Sequence, residues 1–375
     1  MKSTRCLAVT PVTPGWTMGR WWNCPASSVL RKSIARAGEM MLLFTSSPSA
    51  AKIALEEICA RDSGARLRRW LEPGVGWAEL SMSWDAFAAR LRQEPPIFCR
   101  HVCPVHITVP LKQEASDLEV LLEAAHQLVP SLNATQTFSV QTRLIGKGWP
   151  YARFDVNTRL ADALTAQGFA VDVRQPAQIL SVALTPTAGY LGVSRAADNL
   201  SDWAGGERRF KAEPEQISRA EFKLLEAVET FKLAWPNAGN ALDLGAAPGG
   251  WTRIARLHGL QVTAIDPADL APRLTVDPGV RHLRHTAQRY LPGTDDTFDV
   301  ILNDMRMDAR DSAHLMLTAR RNLRATGWAV MTLKLPHSHA ERVATSALAL
   351  LRERYTLIGA RQLFHNRNEI TVALK

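Results

Sequence analysis

The sequence predicts an α/β protein, with a mainly parallel, helix-covered sheet in the C-terminal half and a separate α+β region before it. Three observations carry this. From residue 218 onward, short apolar runs alternate with amphipathic stretches, the pattern of strands covered by helices on both faces. One apolar run, Ala241-Leu242-Asp243-Leu244, leads directly into Gly245-Ala246-Ala247-Pro248-Gly249-Gly250-Trp251, a turn of small and rigid residues that lets the backbone approach a ligand closely. A further run, Thr263-Ala264-Ile265, ends in Asp266. Strand, Gly-rich turn, helix, strand and acid form an arrangement in which the acid accepts hydrogen bonds from ribose hydroxyls.

Each element follows in order. Residues 1–39 are irregular, with Pro11, Pro14, Pro25 and Trp21-Trp22 and no amphipathic period, and read as an N-terminal extension rather than a transit peptide. Met40-Met41-Leu42-Leu43-Phe44 opens the first strand, assigned to 42–45, and a helix follows over 49–60. A strand over 77–82 precedes a helix over 83–92 that Ser83 or Asp85 can cap. Residues 97–109 read as a strand with Pro104 inside, hence bulged or at an edge. A helix over 118–128, a strand over 137–143, a helix over 155–166 stopped by Gly168, and strands over 171–174 and 179–184 complete the α+β region, 40–193. Polar residues 194–216, with Gly205-Gly206 and Pro214, read as a linker. The domain over 217–375 then runs helix 218–233, strand 241–245, helix 250–258, strands 262–266, 280–284 and 298–304, helix 311–324, strand 328–335, helix 338–353 and strand 369–374.

Composition bounds the partners. The net charge of +9 suggests nucleic acid, but Lys2, Arg5, Arg20, Arg31, Lys32 and Arg36 precede the first acid, Glu39; without those six positives and that acid the remainder is +4. Five cysteines, Cys6, Cys24, Cys59, Cys99 and Cys103, form an odd, sparse set that fits a reducing compartment, the cytoplasm, better than a disulfide scaffold. No apolar run approaches the ~20 residues of a membrane-spanning helix.

The Gly-rich turn is neither GxGxxG nor GxxxxGK[ST], and it lacks the lysine that would hold a triphosphate. It points to a nucleoside ligand without phosphates, of which S-adenosyl-L-methionine is the commonest. Asp243, Asp266, Asp304 and Lys334 all fall at or near strand carboxyl ends, where ligands sit in such sheets. Asp243 is read as shaping the turn, and Trp251 as either covering an adenosine or packing the helix start.

Four segments each place one ionisable residue at a strand end or helix turn: Ser218-Arg219-Ala220-Glu221-Phe222-Lys223-Leu224, Asp299-Val300-Ile301-Leu302-Asn303-Asp304, Val330-Met331-Thr332-Leu333-Lys334-Leu335-Pro336 and Asn366-Arg367-Asn368-Glu369-Ile370-Thr371-Val372. Lys223, Asp304, Lys334 and Glu369 in this order resemble the Lys-Asp-Lys-Glu tetrad of the FtsJ-like RNA ribose 2′-O-methyltransferases. The stretches Thr332–Pro336 and Ala360–Val372 resemble the bacterial large-subunit rRNA methyltransferase M family, which methylates a cytidine ribose and carries an N-terminal THUMP-type RNA-binding domain. The resemblance implies a Rossmann-like S-adenosylmethionine-dependent methyltransferase domain preceded by an α+β THUMP-like domain, with large-subunit rRNA or its assembly intermediate as partner. It implies that Ser218, Gly245, Ala247, Pro248, Gly249, Gly250, Trp251, Asp266, Thr286 and Asp304 hold the cofactor. Thr286 stands where the family has an acid that holds the adenine amino group. The resemblance also assigns Lys334 as the residue that takes or steers the hydroxyl proton. Asp304 orients it and the methyl donor, Lys223 steadies the oxyanion, and Glu369 orients the lysines. The two lysines are expected to lower each other's pKa, and the two carboxylates to raise both.

Two other constellations stand apart. Cys99, His101, Cys103 and His106 offer four soft ligands, but a tetrahedral zinc site usually draws on two separated pairs, so these read as core-strand residues and no metal is expected. The loop Arg143-Leu144-Ile145-Gly146-Lys147-Gly148-Trp149-Pro150-Tyr151-Ala152-Arg153 mixes basic and aromatic residues, as an RNA contact or as a solvated loop anchored by Trp149. Two competing functional classes are a non-catalytic RNA-binding or ribosome-assembly factor, against which the intact tetrad argues, and a methyltransferase of a non-RNA substrate, against which the added domain argues.

Overall fold

A computed structural model describes residues 33–34 and 40–375. The expected N-terminal extension lies outside the described residues except at Ser33–Ile34, which form a short strand. The described residues divide into two units: one holds Ser33–Ile34, Met40–Thr45, Ala54–Pro95 and His101–Gly205, the other Ser46–Ile53, Pro96–Arg100 and Gly206–Lys375.

The first unit contains β1 (Ser33–Ile34), β2 (Met40–Thr45), most of α1 (Ala51–Arg61), β3 (Arg66–Glu72), β4 (Val75–Leu80), α2 (Trp84–Gln93), β5 (His101–Val105), β6 (Ile107–Pro110), α3 (Asp117–Gln127), β7 (Phe138–Leu144), α4 (Arg153–Thr165), β8 (Gln178–Thr185) and β9 (Ala188–Arg195). They build a four-stranded sheet, β3-β4-β2-β5, and a five-stranded sheet, β1-β6-β9-β8-β7. Leu121 and Ala124 of α3 and Val156, Leu160 and Leu164 of α4 bury against Phe138, Leu180, Val182 and Leu184 of the larger sheet.

The single strand expected over 97–109 is in fact two, β5 and β6, in different sheets. Pro104 lies on β5, the edge of its sheet, where a missing N–H is tolerated. Residues 171–174 form no strand beyond an isolated bridge of Val171 to Phe138, because Asp172 Oδ1 accepts the N–H groups of Arg174 and Gln175 and curls the chain into a turn. Residues 194–205 complete the first unit rather than hanging between units.

The second unit contains α5 (Glu221–Thr230), β10 (Asn240–Leu244), α6 (Gly250–Leu257), β11 (Gln261–Ile265), α7 (Pro272–Thr275), β12 (Val280–Leu283), α8 (Ala287–Tyr290), β13 (Phe298–Asn303), α9 (Ala309–Ala319), β14 (Leu323–Lys334), α10 (Ala340–Leu351), β15 (Leu357–Arg361) and β16 (Glu369–Leu374). The strand order is β12-β11-β10-β13-β14-β16-β15, with β12 to β14 parallel and β16 antiparallel to both neighbours. This is a Rossmann-like sheet with one antiparallel strand inserted near its edge. Buried residues fill both faces: Ile301, Met316, Leu333 and Leu348 belong to one core, Leu224, Trp251, Val300 and Val330 to the other. The strand order reverses between β10 and β13, the crevice where ligands bind in such sheets. Two early segments join this unit beside β15: Gln362 N–H donates to the Ile97 carbonyl at 2.6 Å, and Ser47 Oγ to Gln362 Oε1 at 2.7 Å.

Candidate active site

The Gly-rich turn leaves β10 at the point of reversal. Gly249, at φ +109°, caps α6 in a conformation that suits only glycine, and an added Cβ would stand 2.1 Å from Leu274 Cδ1. At Gly250 the same atom would lie 2.4 Å from Ser218 Oγ. Ile265 O accepts the N–H groups of Gly245 and Ala246 at 2.9 and 3.3 Å. Asp266 Oδ2 accepts from the Ala247 N–H at 3.0 Å, and its Oδ1 from Ala268 N–H at 2.8 Å, so the acid and the turn hold each other in place. Asp243 is 1% exposed and accepts from the Thr252 hydroxyl at 2.6 Å, which ties the end of β10 to α6. Burial pushes its carboxyl up to about 7.

Ser218 is fixed from behind. Glu221 Oε1 accepts the N–H groups of Ile217 and Ser218, and its Oε2 pairs with Arg253 at 2.8 Å. The Ser218 hydroxyl itself is buried beside the backbone of Gly250 and has no hydrogen-bond partner among the described residues. Trp251 is 3% exposed in the core with Leu224 and Ala227, and its indole N–H donates to the Ala220 carbonyl at 2.8 Å. Thr286 is exposed at the start of α8. Its carbonyl accepts from the N–H groups of Arg289 and Tyr290, each at 3.1 Å.

The four ionisable residues meet in one network. Lys223 projects from α5, Asp304 follows β13, and Lys334 and Glu369 are cross-strand partners on β14 and β16. Lys223 Nζ lies 3.2 Å from Asp304 Oδ2 and 2.7 Å from Glu369 Oε1. Lys334 Nζ donates to Asp304 Oδ1 at 2.7 Å, to Thr332 Oγ1 at 2.8 Å and to Glu369 Oε2. Leu244 pairs with Asn303, so the Gly-rich turn and Asp304 leave adjacent strands at the same level.

Burial works to lower the pKa of Lys223, but the carboxylates of Asp304 and Glu369 outweigh it and hold the ammonium above the ordinary lysine range. For Asp304, burial works to raise the carboxyl, and Lys334 and Lys223 outweigh it and keep it below the ordinary carboxylate range. Lys223 and Asp304 therefore persist as a charged pair.

Two residues that sequence reasoning missed complete the network. The Thr332 hydroxyl donates to Asp304 Oδ1 at 2.6 Å while accepting from Lys334. Asn366 donates to Glu369 Oε1 at 3.4 Å and accepts from the Leu363 N–H and the Thr371 hydroxyl. The signal for Thr332 was its place two residues before Lys334, which puts both side chains on one strand face.

The remaining candidates fall elsewhere. Cys99 belongs to the second unit and Cys103 to the first, both buried, and burial pushes the Cys103 thiol up to about 12. His106 Nδ1 accepts from the Val193 N–H at 3.1 Å. In the loop over 143–153, Arg143 pairs with Glu72 at 2.9 Å, and Trp149 packs on Tyr151 with centroids 5.5 Å apart. Among the described residues no helix is long and apolar enough to cross a membrane.

The FtsJ-like methyltransferase family matches residues 216–340. The chain is similar to the ribosomal RNA large subunit methyltransferase M of Halorhodospira halophila, 38% identical over 174 residues, which are 45% of this chain and 50% of that protein. It is 30% identical over 331 residues to the ribosomal RNA large subunit methyltransferase M of Alkalilimnicola ehrlichii, covering 83% of this chain and 90% of that protein. The match thus spans about half the length of the first relative and nine-tenths of the second. Among solved structures, TrmN from Thermus thermophilus is 22% identical, covers 90% of this chain and 99% of its own, and has a TM-score of 0.37.

Proposed function

Because the chain belongs to the ribosomal RNA large subunit methyltransferase M family, we propose that it moves the methyl group of S-adenosyl-L-methionine to a ribose 2′-oxygen of large-subunit rRNA, at a cytidine, in the cytoplasm. The observation that carries this reading is the convergence of Lys223, Asp304, Lys334 and Glu369 beside the Gly-rich turn.

The residues of the turn suit the cofactor. A buried Ser218 hydroxyl without a partner among the described residues and a carboxylate at Asp266 held by backbone N–H groups are what a ribose-bearing, phosphate-free ligand needs. Gly245, Ala247, Pro248, Gly249 and Gly250 would line its approach, with Thr286 and Asp304 at its two ends. S-adenosyl-L-methionine supplies an electrophilic methyl on a sulfonium.

The chain's own work concerns the hydroxyl. A ribose 2′-hydroxyl is a poor nucleophile, and it reacts faster when a positioned base takes its proton. Lys334 is that base in this reading. Its three Nζ hydrogens point to Asp304, Thr332 and Glu369, which set the direction of the amine. In this reading Lys334 acts as the neutral amine, one ammonium proton having gone to solvent; its nitrogen takes the 2′-hydroxyl proton as the ribose oxygen bonds to the methyl carbon, and the carbon–sulfur bond breaks to leave a neutral thioether. Lys223, kept protonated by its two carboxylates, steadies the charge that develops on the ribose oxygen. Residues 40–193 serve as the THUMP-like RNA-binding region in this scheme, and 217–375 as the catalytic domain.

The test is methyl transfer from labelled S-adenosyl-L-methionine to large-subunit rRNA transcribed in vitro, with Lys334→Ala in parallel. Label on RNA with the wild type and none with the variant supports the reading. Cofactor binding without transfer would favour a non-catalytic assembly factor instead.

A further inference from the structure

Next to the tetrad, the second unit gathers rings and guanidinium groups that the reaction does not use. Phe222, adjacent to Lys223, stacks on Phe210 with centroids 5.6 Å apart and planes 14° from parallel. His365 packs on both, at 5.1 Å from Phe222 and 5.6 Å from Phe210. The Arg208 guanidinium lies 4.0 Å over the Phe210 ring, and its plane is held by two bonds to the Glu229 carboxylate, at 2.6 and 2.8 Å. Phe210, Phe222 and His365 are half-buried, whereas Arg209, Lys211 and Arg219 around them are exposed.

This cluster is tied to the tetrad through the loop before β16. Glu226, one turn after Phe222 and buried, accepts the N–H groups of Phe364 and His365 at 2.8 and 2.9 Å. The next residue, Asn366, bonds to Glu369. Whatever rests on the cluster therefore lies within a few residues of Lys223 and Glu369. A patch that merely fastened residues 207–216 onto α5 would need the rings, but not a guanidinium that a carboxylate fixes over one of them by two hydrogen bonds. A preset guanidinium plane on aromatic rings, ringed by exposed cations, is complementary to an unstacked base and its flanking phosphates.

We propose that the Arg208–Phe210–Phe222 stack seats an unpaired RNA base next to the methylated nucleotide, with Arg209 and Arg219 on the adjoining phosphates. This rests on the reading of the chain as an RNA ribose methyltransferase. The site reads no particular base; it selects a strand from which bases can be splayed out.

The full chain is tested by fluorescence anisotropy with a short labelled oligouridylate and with an abasic oligomer of the same length, which keeps the phosphates and lacks the bases. The wild type binds the base-bearing oligomer more tightly by roughly tenfold. Arg208→Lys keeps the charge and loses the plane, and Phe210→Leu keeps the apolar bulk and loses the ring. Both bring the ratio close to one with unchanged affinity for S-adenosyl-L-methionine, which reports an intact second unit. Should Phe210→Leu fail to fold, Arg208→Lys decides alone. A wild type that binds both oligomers equally, or variants that keep the wild-type ratio, would overturn the stacking site. Base preference without methyl transfer to rRNA would instead remove the catalytic reading and leave the stacking site standing.

Discussion

Replacing Asp243 by asparagine should blunt the loss of stability that the folded protein suffers as pH rises. Asp243 is 1% exposed and accepts a hydrogen bond from the Thr252 hydroxyl at 2.6 Å. Burial pushes its carboxyl up to about 7, with the nearby charges of Asp304 and Asp266 acting the same way and the bonds from Thr252 opposing them. In the unfolded chain an aspartate titrates near 3.9. Between these two values the folded state keeps a proton that the unfolded state has lost, so stability falls as pH rises through the window and levels off above it. At about 1.36 kcal/mol for each tenfold change in acidity, the whole window is worth about 4 kcal/mol, of which roughly 3 kcal/mol lies between about pH 5 and about pH 8. Asparagine keeps an oxygen for Thr252 and has nothing to ionise. Glu226, which burial also pushes up to about 7, adds a slope of the same sign that survives in the variant. The assay is urea unfolding of wild type and Asp243→Asn at both pH values. The variant should lose roughly 3 kcal/mol less than the wild type on going from the lower to the higher pH. Equal losses would refute a buried, protonated Asp243.

The other expectations concern the site. Lys334→Ala should cut methyl transfer by about two to four orders of magnitude, the range of a lost general base, with the dissociation constant of S-adenosyl-L-methionine unchanged by calorimetry. Thr332→Val removes the hydroxyl that joins Asp304 to Lys334 and should lower kcat by roughly tenfold or more, while Thr332→Ser stays close to wild type in steady-state kinetics. Gly249→Ala meets both the positive φ and the Leu274 side chain, and should weaken cofactor binding by at least about tenfold in a titration.

How legible the fold is in the sequence depends on how local the cause is. The strand, turn and helix around Gly249 are legible because a buried strand followed by glycines leaves few alternatives. The convergence of Asp304 and Lys334 is legible because parallel strands end on the same side. β3 is hidden by its own composition: Arg66, Arg68 and Arg69 break the apolar alternation, since the strand lies on the edge of its sheet and its side chains are largely exposed. β9 is hidden by Gly189 and Gly192. At Gly192 an added Cβ would come within 2.0 Å of the Pro104 carbonyl, so the glycine serves a close backbone approach that no local pattern announces. Segments 46–53 and 96–100 join the second unit through Ser47, Ile97 and Gln362, contacts between residues far apart in the chain. Trp251 is ambiguous in sequence because an indole at a helix start suits a ligand and a core equally, and its bond to Ala220 and its burial depend on α5, a contact across 31 residues that no local pattern announces. Asn366 escapes for a related reason: its bonds to Glu369, Leu363 and Thr371 depend on how the chain loops back before β16.

The most direct test of the site is the position of the transferred methyl. Large-subunit rRNA transcribed in vitro, and so free of modification, is incubated with labelled S-adenosyl-L-methionine and the wild-type chain, digested to nucleosides and resolved by mass spectrometry. The expected result is label in 2′-O-methylcytidine and in no base-methylated nucleoside, with none from Lys334→Ala. Label on a base carbon or nitrogen, or label that persists in the variant, would contradict a ribose methyltransferase built on Lys223, Asp304, Lys334 and Glu369.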